Sequence, residues 1–341
     1  MKKYTGLITI FIALILLAGC NTENDGIFMR ISKSETKKDV GTITLIAKKG
    51  ANIYTQTKQH QLQVYNTAIK DWANLAPDKR ATHVATDGTN IYFAPSVTEG
   101  ENNSIFQYVI GNNSADPLAK YANKYMIVAM SPTADLMVVK NSSNKFDVHE
   151  ISTEVKLISN LSFHETFTPQ LIVQDSTKFI ISGKSSATEY THYLYNGITL
   201  LATITGINAP VVAFYNDTDT TNIVLLTSSG EIWHGTVAGG YAFTNKKGTV
   251  SNFSAGTPSH MPYPVFFHGG KLYLQDKNNY LHSITLATGT VAEEKTIDLS
   301  AVKVWSYLVD SDLVDSDKVY VGTTQNGIFE INMTTNKVTS L

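Results

Sequence analysis

One feature constrains this chain more than any other: a unit of about 44 residues that recurs seven times. Short apolar runs, each led by a polar residue, begin at Ile53, Ile91, Leu136, Phe179, Ile223, Leu272 and Val319. The intervals between them are 38, 45, 43, 44, 49 and 47 residues. A second series of large apolar residues follows each anchor: Leu62, Phe106, Phe146, Tyr193, Trp233, Leu281 and Phe329. Turn residues separate the two series, as in Asn141-Ser142-Ser143-Asn144, Ser228-Ser229-Gly230 and Gln325-Asn326-Gly327. Apolar runs of this length joined by such turns read as hairpins. Two offsets are long, and they place insertions at Pro95 to Asn103 and Gly183 to Thr191.

A third series precedes each anchor. Turns such as Lys49-Gly50, Asp87-Gly88 and Gly269-Gly270 follow another apolar run, for example Leu171-Ile172-Val173 or Val265-Phe266-Phe267. A weaker fourth run, such as Leu200-Leu201-Ala202-Thr203, completes the unit. Many strand residues are apolar on both parities, which requires cover on both faces. A blade alone leaves its faces wet, and stacking blades in a ring buries them. The expectation is an all-β, seven-bladed β-propeller of four-stranded antiparallel blades over residues 41–341. A β-sandwich is the competing architecture, but it gives no reason for a 44-residue period. The last outer strand is expected at Lys337 to Leu341, with ring closure helped by the chain ends.

The N-terminus carries different information. Lys2 and Lys3 precede an apolar run from Leu7 to Leu17, then Leu17-Ala18-Gly19-Cys20. The run is short for a membrane span, which needs about 20 residues, and reads as a secretory signal. Ending on cysteine, it resembles the lipobox of bacterial lipoproteins. That resemblance implies cleavage before Cys20, a diacylglycerol thioether on its sulfur, and acylation of the new amine. Acyl chains contribute about 0.8 kcal/mol per buried CH₂, so two or three give lasting attachment to a membrane. Asn21 follows the cysteine, which in enteric-type envelopes favours the outer membrane. Residues 1–19 are then a signal peptide, and residues 20–40 a lipidated cysteine and polar tether spanning roughly 25 Å. The patch Ile27-Phe28-Met29 within it is placed to dock beside the last outer strand.

Composition excludes several function classes. The 341 residues contain 27 Lys and Arg against 29 Asp and Glu, for a formal net charge of −2. Only Arg30 and Arg80 are arginines and no basic run occurs, so nucleic acid is not expected as a partner. A single cysteine builds neither an internal disulfide nor a Cys-based zinc site. No G-x-S-x-G, H-E-x-x-H, P-loop or G-x-G-x-x-G occurs, nor the Asp-box of sialidases. His260 and His268 stand eight apart, a spacing without metal logic. The duplication Leu308-Val309-Asp310-Ser311-Asp312, Leu313-Val314-Asp315-Ser316-Asp317 could offer oxygens to Ca²⁺. It lacks the glycine and the distal glutamate of a calcium loop, and reads as a lengthened solvated turn. Trp233 and Trp305 read as core residues, and Trp72 is left open. No catalytic residue, metal site or cofactor is expected.

The segment Lys318-Val319-Tyr320-Val321-Gly322-Thr323-Thr324-Gln325-Asn326-Gly327-Ile328-Phe329-Glu330-Ile331-Asn332 resembles the repeat of pyrroloquinoline-quinone-like propellers. Lys271 to Gly289 is a looser match. The tryptophan that usually follows the repeat's glycine is missing here, so the resemblance implies the fold and not the cofactor. Such repeats also occur in non-enzymatic propeller lipoproteins, including one that assists outer-membrane protein assembly. The expected role is therefore a binding or scaffold protein of the bacterial cell envelope, facing outside the cytoplasm. Its partner would be an envelope protein or a glycan. The alternative is an envelope enzyme, either a quinone-dependent dehydrogenase or a polysaccharide-acting propeller.

In a propeller, second-to-third turns and blade-to-blade connections share one face. The longest segments fall there: Pro95 to Asn103, Gly183 to Thr191 and Val250 to Pro264. The last carries Phe253, His260, Met261 and Tyr263, stiffened by Pro258, Pro262 and Pro264. Aromatic and Met side chains on a rigid loop suit a binding anchor. The competing reading is that these residues cover the end of the core.

Overall fold

The computed structural model describes residues 41–57, 61–75, 80–95, 104–112, 118–121, 126–131, 136–141, 143–161, 166–175, 177–216, 222–236, 240–243, 245–250, 253, 265–299, 302–309 and 317–341. Contacts divide the chain between Val40 and Gly41. From Gly41 onward, the described residues form seven four-stranded antiparallel sheets, each from consecutive strands. Blade 1 comprises β1 (Ile43–Lys49), β2 (Asn52–Thr57), β3 (Leu62–Asn66) and β4 (Asp71–Asn74). Blade 2 comprises β5 (Ala81–Thr86), β6 (Asn90–Pro95), β7 (Ile105–Val109) and β8 (Leu118–Tyr121). Blade 3 has β9 (Met126–Met130), β10 (Leu136–Lys140), β11 (Phe146–Glu150) and β12 (Lys156–Ile158). In blade 4 the strands are β13 (Thr168–Asp175), β14 (Lys178–Lys184), β15 (Tyr190–Asn196) and β16 (Thr199–Ile204). Blade 5 follows with β17 (Val211–Asn216), β18 (Asn222–Thr227), β19 (Glu231–Thr236) and β20 (Asn245–Thr249). Blade 6 has β21 (Val265–His268), β22 (Lys271–Gln275), β23 (Leu281–Thr285) and β24 (Thr290–Glu293). Blade 7 ends the chain with β25 (Val304–Val309), β26 (Lys318–Thr323), β27 (Ile328–Asn332) and β28 (Lys337–Ser340). The arrangement is the seven-bladed β-propeller that the 44-residue period predicts.

All seven anchor residues lie in the second strand of their blade and all are buried. The second series lies in the third strands. Burial is high in the second strands and low in the outer ones: β2 and β26 are almost wholly buried, whereas β4, β24 and β28 are mostly exposed. The second strand is therefore the one with apolar residues on both parities, because neighbouring blades cover both its faces.

Six of the seven inner strands carry a register irregularity against their second strand, and β21 is the exception. A bulge bends a strand and raises its twist, which suits a strand curving around a central axis. One expectation is corrected. Gly183 to Thr191 is not wholly an inserted loop, since only Ser185 to Glu189 leave the strands. Gly183 pairs with Thr191 and Lys184 with Tyr190, so the extra length extends both strands of the hairpin. Tyr190 and Thr191, aromatic and β-branched, suit a strand there. At the other long offset Pro95 ends β6, and residues 96–103 lie outside the described residues.

Apolar clusters cross the seams between consecutive blades. Tyr54, Leu62 and Ile91 join blades 1 and 2, and Tyr92, Met130 and Met137 join blades 2 and 3. Val138, Val148 and Phe179 join blades 3 and 4. Ile180, Leu194, Val224 and Leu274 run through blades 4 to 6, and Phe266, Tyr273 and Val321 join blades 6 and 7. Polar groups also stitch these seams. Gln275 Nε2 donates to Val302 O at 2.9 Å, and its Oε1 accepts from Val304 N at 2.8 Å. At the ring's closure Ser306 Oγ donates to Ile43 O and accepts from Leu45 N, both at 2.9 Å. The outer strand β28 matches its expected place, but the closing contact is made by the inner strands of blades 1 and 7. Ile27-Phe28-Met29 lies outside the described residues.

Candidate binding face

Alternating strand direction fixes which connections share a face. Gly41 leads into β1 on the same face as every second-to-third turn and every blade-to-blade connection, and Leu341 ends there. The longest such connection, residues 250–264, joins β20 to β21. Its start is pinned to the core. Val250 N donates to Gly230 O at 2.9 Å, and Phe253 N to Val250 O at 3.3 Å. Phe253 is buried with Phe243, Val250 and Leu226 in the blade 4 to 6 cluster. A Cβ on Gly230 would meet Val250 O at 2.5 Å and Phe253 Cβ at 2.9 Å, so that turn must remain glycine. Phe253 therefore fastens the connection instead of projecting from it, which is the capping role of the two weighed for it. His260, Met261 and Tyr263 lie outside the described residues, as does Cys20.

Three acidic residues in or just before the third strands on this face are held internally. Asp147 in β11 is buried. Its Oδ1 accepts from Asn160 N at 2.7 Å and Asn141 Nδ2 at 3.1 Å, and Lys156 Nζ lies 3.1 Å from Oδ2. Burial works to raise this carboxyl, but those donors outweigh it and hold it below the usual carboxylate range. In blade 5, Glu231 pairs with Lys246 and accepts from Trp233 Nε1 at 3.3 Å. In blade 6, Asp276 accepts from Asn278 N at 2.8 Å and Tyr280 N at 2.9 Å, and His282 Nε2 lies 3.3 Å away. That turn presents Tyr280, which is 52% exposed. Tyr280 immediately precedes β23 in the blade that the 250–264 connection enters, and sequence reasoning missed it. The available signal was an aromatic closing the polar turn Asp276-Lys277-Asn278-Asn279.

His192 is the most perturbed histidine. It is fully buried in β15, with Nδ1 2.9 Å from Ser182 Oγ and Nε2 3.0 Å from Ile207 O. A carbonyl can only accept, so Nε2 carries the proton and Nδ1 receives the Ser182 hydroxyl proton. Ser182 Oγ in turn accepts from Val211 N at 3.1 Å. Burial depresses this imidazole to about 4 although the bond to Ile207 O opposes the shift. Both ring nitrogens are committed to the seam between blades 4 and 5, which makes the residue a structural one.

On the opposite face, His268 Nε2 lies 3.5 Å from Asp317 Oδ1, and Thr334 Oγ1 donates to Asp317. The end of the acidic duplication is thus engaged, while Asp310 to Ser316 lie outside the described residues. No group of three or more metal-ligating side chains occurs among the described residues. A shallow groove of about 460 Å³ runs between the outer strands β20 and β24, lined by Lys247, Thr249, Thr288, Gly289 and Val291. Of the tryptophans, Trp233 is partly buried against the core and Trp72 packs on Tyr65 at 4.9 Å. Trp305 is half-buried, its Nε1 donating to Thr44 Oγ1 at 3.2 Å across the closing seam.

Fold and faces place the described domain among β-propellers. It is similar to the crystal structure of the computationally designed Ika8 protein. That match has a TM-score of 0.51 and 10% identity, and covers 86% of this chain and 96% of that one. At that identity the likeness concerns the fold alone. No protein-family model and no curated protein matches the chain.

Proposed function

We infer that this protein is a lipid-anchored, extracytoplasmic β-propeller of the bacterial cell envelope, acting as a binding or scaffold protein for an envelope protein or glycan. The observation that carries this reading is the apolar run closed by Leu17-Ala18-Gly19-Cys20, with Cys20 the chain's only cysteine. Its acyl chains would attach the protein to a membrane, the outer one where the cell has two. The resemblance of Lys318 to Asn332 to repeats found in propeller lipoproteins supports the same assignment. Replacing Cys20 with Ser should move the protein from the detergent phase to the aqueous phase, and intact-mass measurement should find lipid on the wild type only. A wild-type chain without lipid on Cys20 overturns the anchor.

The partner contact is assigned to the face bearing the 250–264 connection, with Met261, Tyr263 and His260 as its anchors and Tyr280 beside it. Crosslinking and capture from native membranes should supply the partner. Truncating Met261 and Tyr263 together to Ala should then weaken binding by about 2 kcal/mol or more. Thermal stability should change little, because exposed substitutions usually stay within about 0.5 kcal/mol. Lost stability with unchanged affinity would mean that these residues cap the core, as Phe253 does.

A further inference from the structure

The seven outer strands form an internal comparison, because each leaves one backbone edge unpaired within its own blade. Six of them are three to five residues long and carry charge: Asp71 in β4, Lys120 in β8, Lys156 in β12, Lys246 and Lys247 in β20, Glu293 in β24 and Lys337 in β28. Short length and charge are the devices by which natural sheets keep an edge from pairing with another chain. β16 has neither. It runs six residues, Thr199-Leu200-Leu201-Ala202-Thr203-Ile204, without charge or proline. The uncharged stretch is wider still, since no Asp, Glu, Lys or Arg occurs from Tyr190 to Asn216. Leu201 and Ala202 pack against the blade 4 to 6 cluster. Leu200 is 47% exposed, and Ile198 in the preceding turn is 71% exposed.

We propose that the β16 edge of blade 4 is a self-association surface, and that its occupant is the same strand of a second copy of this chain. Antiparallel pairing about a twofold axis presents a strand to its own image. On β20 that operation sets Lys247 opposite its own image, and on the other five short edges it brings a charged residue of each copy into the same junction, which is unfavourable. On β16 it brings none, and the two blades would join into one eight-stranded sheet. Ile198 and Leu200 of each copy would leave water at that junction. The register of β16 on β15 shifts between Ala202 and Leu200, so the regular edge is short. Together with two apolar side chains per copy, it buries less than the roughly 1,600 Å² of a standard interface. The dimer is therefore weak, and concentration is the variable that reveals it.

Sedimentation equilibrium of the full-length protein in density-matched detergent tests this over a wide concentration range. The wild type should pass from monomer to dimer. Leu200→Lys and Thr203→Lys should each raise the midpoint concentration by about tenfold or more. Thr339→Lys, on the already charged edge β28, should leave it unchanged. Thermal melts establish that each variant is folded, since all three positions lie on outer strands. A wild type that stays monomeric throughout overturns the proposal. So does a dimer indifferent to both β16 substitutions, which would place the contact elsewhere on the molecule.

Discussion

Two seams of the ring use the same chemistry and differ in what stands behind it. Between blades 4 and 5, Ser182 Oγ accepts from Val211 N, 29 residues away. Between blades 7 and 1, Ser306 Oγ accepts from Leu45 N, 261 residues away. Closing the longer loop from the unfolded chain costs about 2 kcal/mol more by the logarithmic dependence of loop entropy. The first serine is backed by His192, a titratable group with both nitrogens engaged. The second is backed by backbone geometry. Gly322 pairs with Ser306, and a Cβ there would stand 2.4 Å from Ile43 O and 2.6 Å from Ser306 Oγ. A hydroxyl can bridge two blades only if its surroundings either complete its hydrogen bonds or make room for the backbone. One seam does the former and the other the latter. The contrast makes the seam between blades 4 and 5 sensitive to pH and the closing seam sensitive to volume.

The largest effect should come from filling the space at the closure. Gly322→Ala places a methyl against a backbone carbonyl that cannot swing away, so chemical denaturation should show a loss of about 3 kcal/mol or more. A loss under about 1 kcal/mol would mean the seam has slack. The next test is acid. His192 is depressed to about 4 in the folded protein from 6.5, so the unfolded chain binds the extra proton between those values. Its neutral form contributes full stability above pH 6.5, and that contribution falls as pH drops, reaching a loss of about 3 kcal/mol near pH 4. Asp87 and Asp147 are held below the ordinary carboxylate value. Their contributions are lost only as pH falls below about 4, so the two windows separate. Denaturation midpoints at pH 7, 5.5 and 4.5 should decline in the wild type and flatten in His192→Gln. A parallel decline in both would assign the sensitivity to other groups. The smallest effect belongs to Ser306→Ala. It leaves Leu45 N and Ile43 O without their buried partner, at a cost of about 2 kcal/mol that should be the same at pH 7 and pH 5. A pH-dependent cost would join the two seams that the structure separates.

The candidate binding face divides along similar lines. The length and proline content of residues 250–264 are plain in the sequence, and topology confirms which face they join. That Phe253 is inside could not be read from its neighbours, because a loop aromatic looks the same whether it reaches outward or plugs the core. Burial at Gly230 and Phe243 decides it, and both lie in other parts of blade 5. Tyr280 is the reverse case. The sequence marks a turn there, but only the packing of Asp276 onto the backbone of that turn leaves the ring outside.

What the sequence by itself determined is the blade. The anchors from Ile53 to Val319 and the turns around them specify four strands that pair with their neighbours along the chain. Pairing of that kind is local and leaves a periodic trace. The tertiary structure alone decided how blades meet. It drew Gly183-Lys184 and Tyr190-Thr191 into the ladder, committed both nitrogens of His192 to one seam, and brought Ser306 to Ile43 across nearly the whole chain. Such contacts leave no trace in any local window. A serine, a glycine or a histidine acquires its role from the backbone that arrives opposite it, and in a ring that backbone belongs to a different blade.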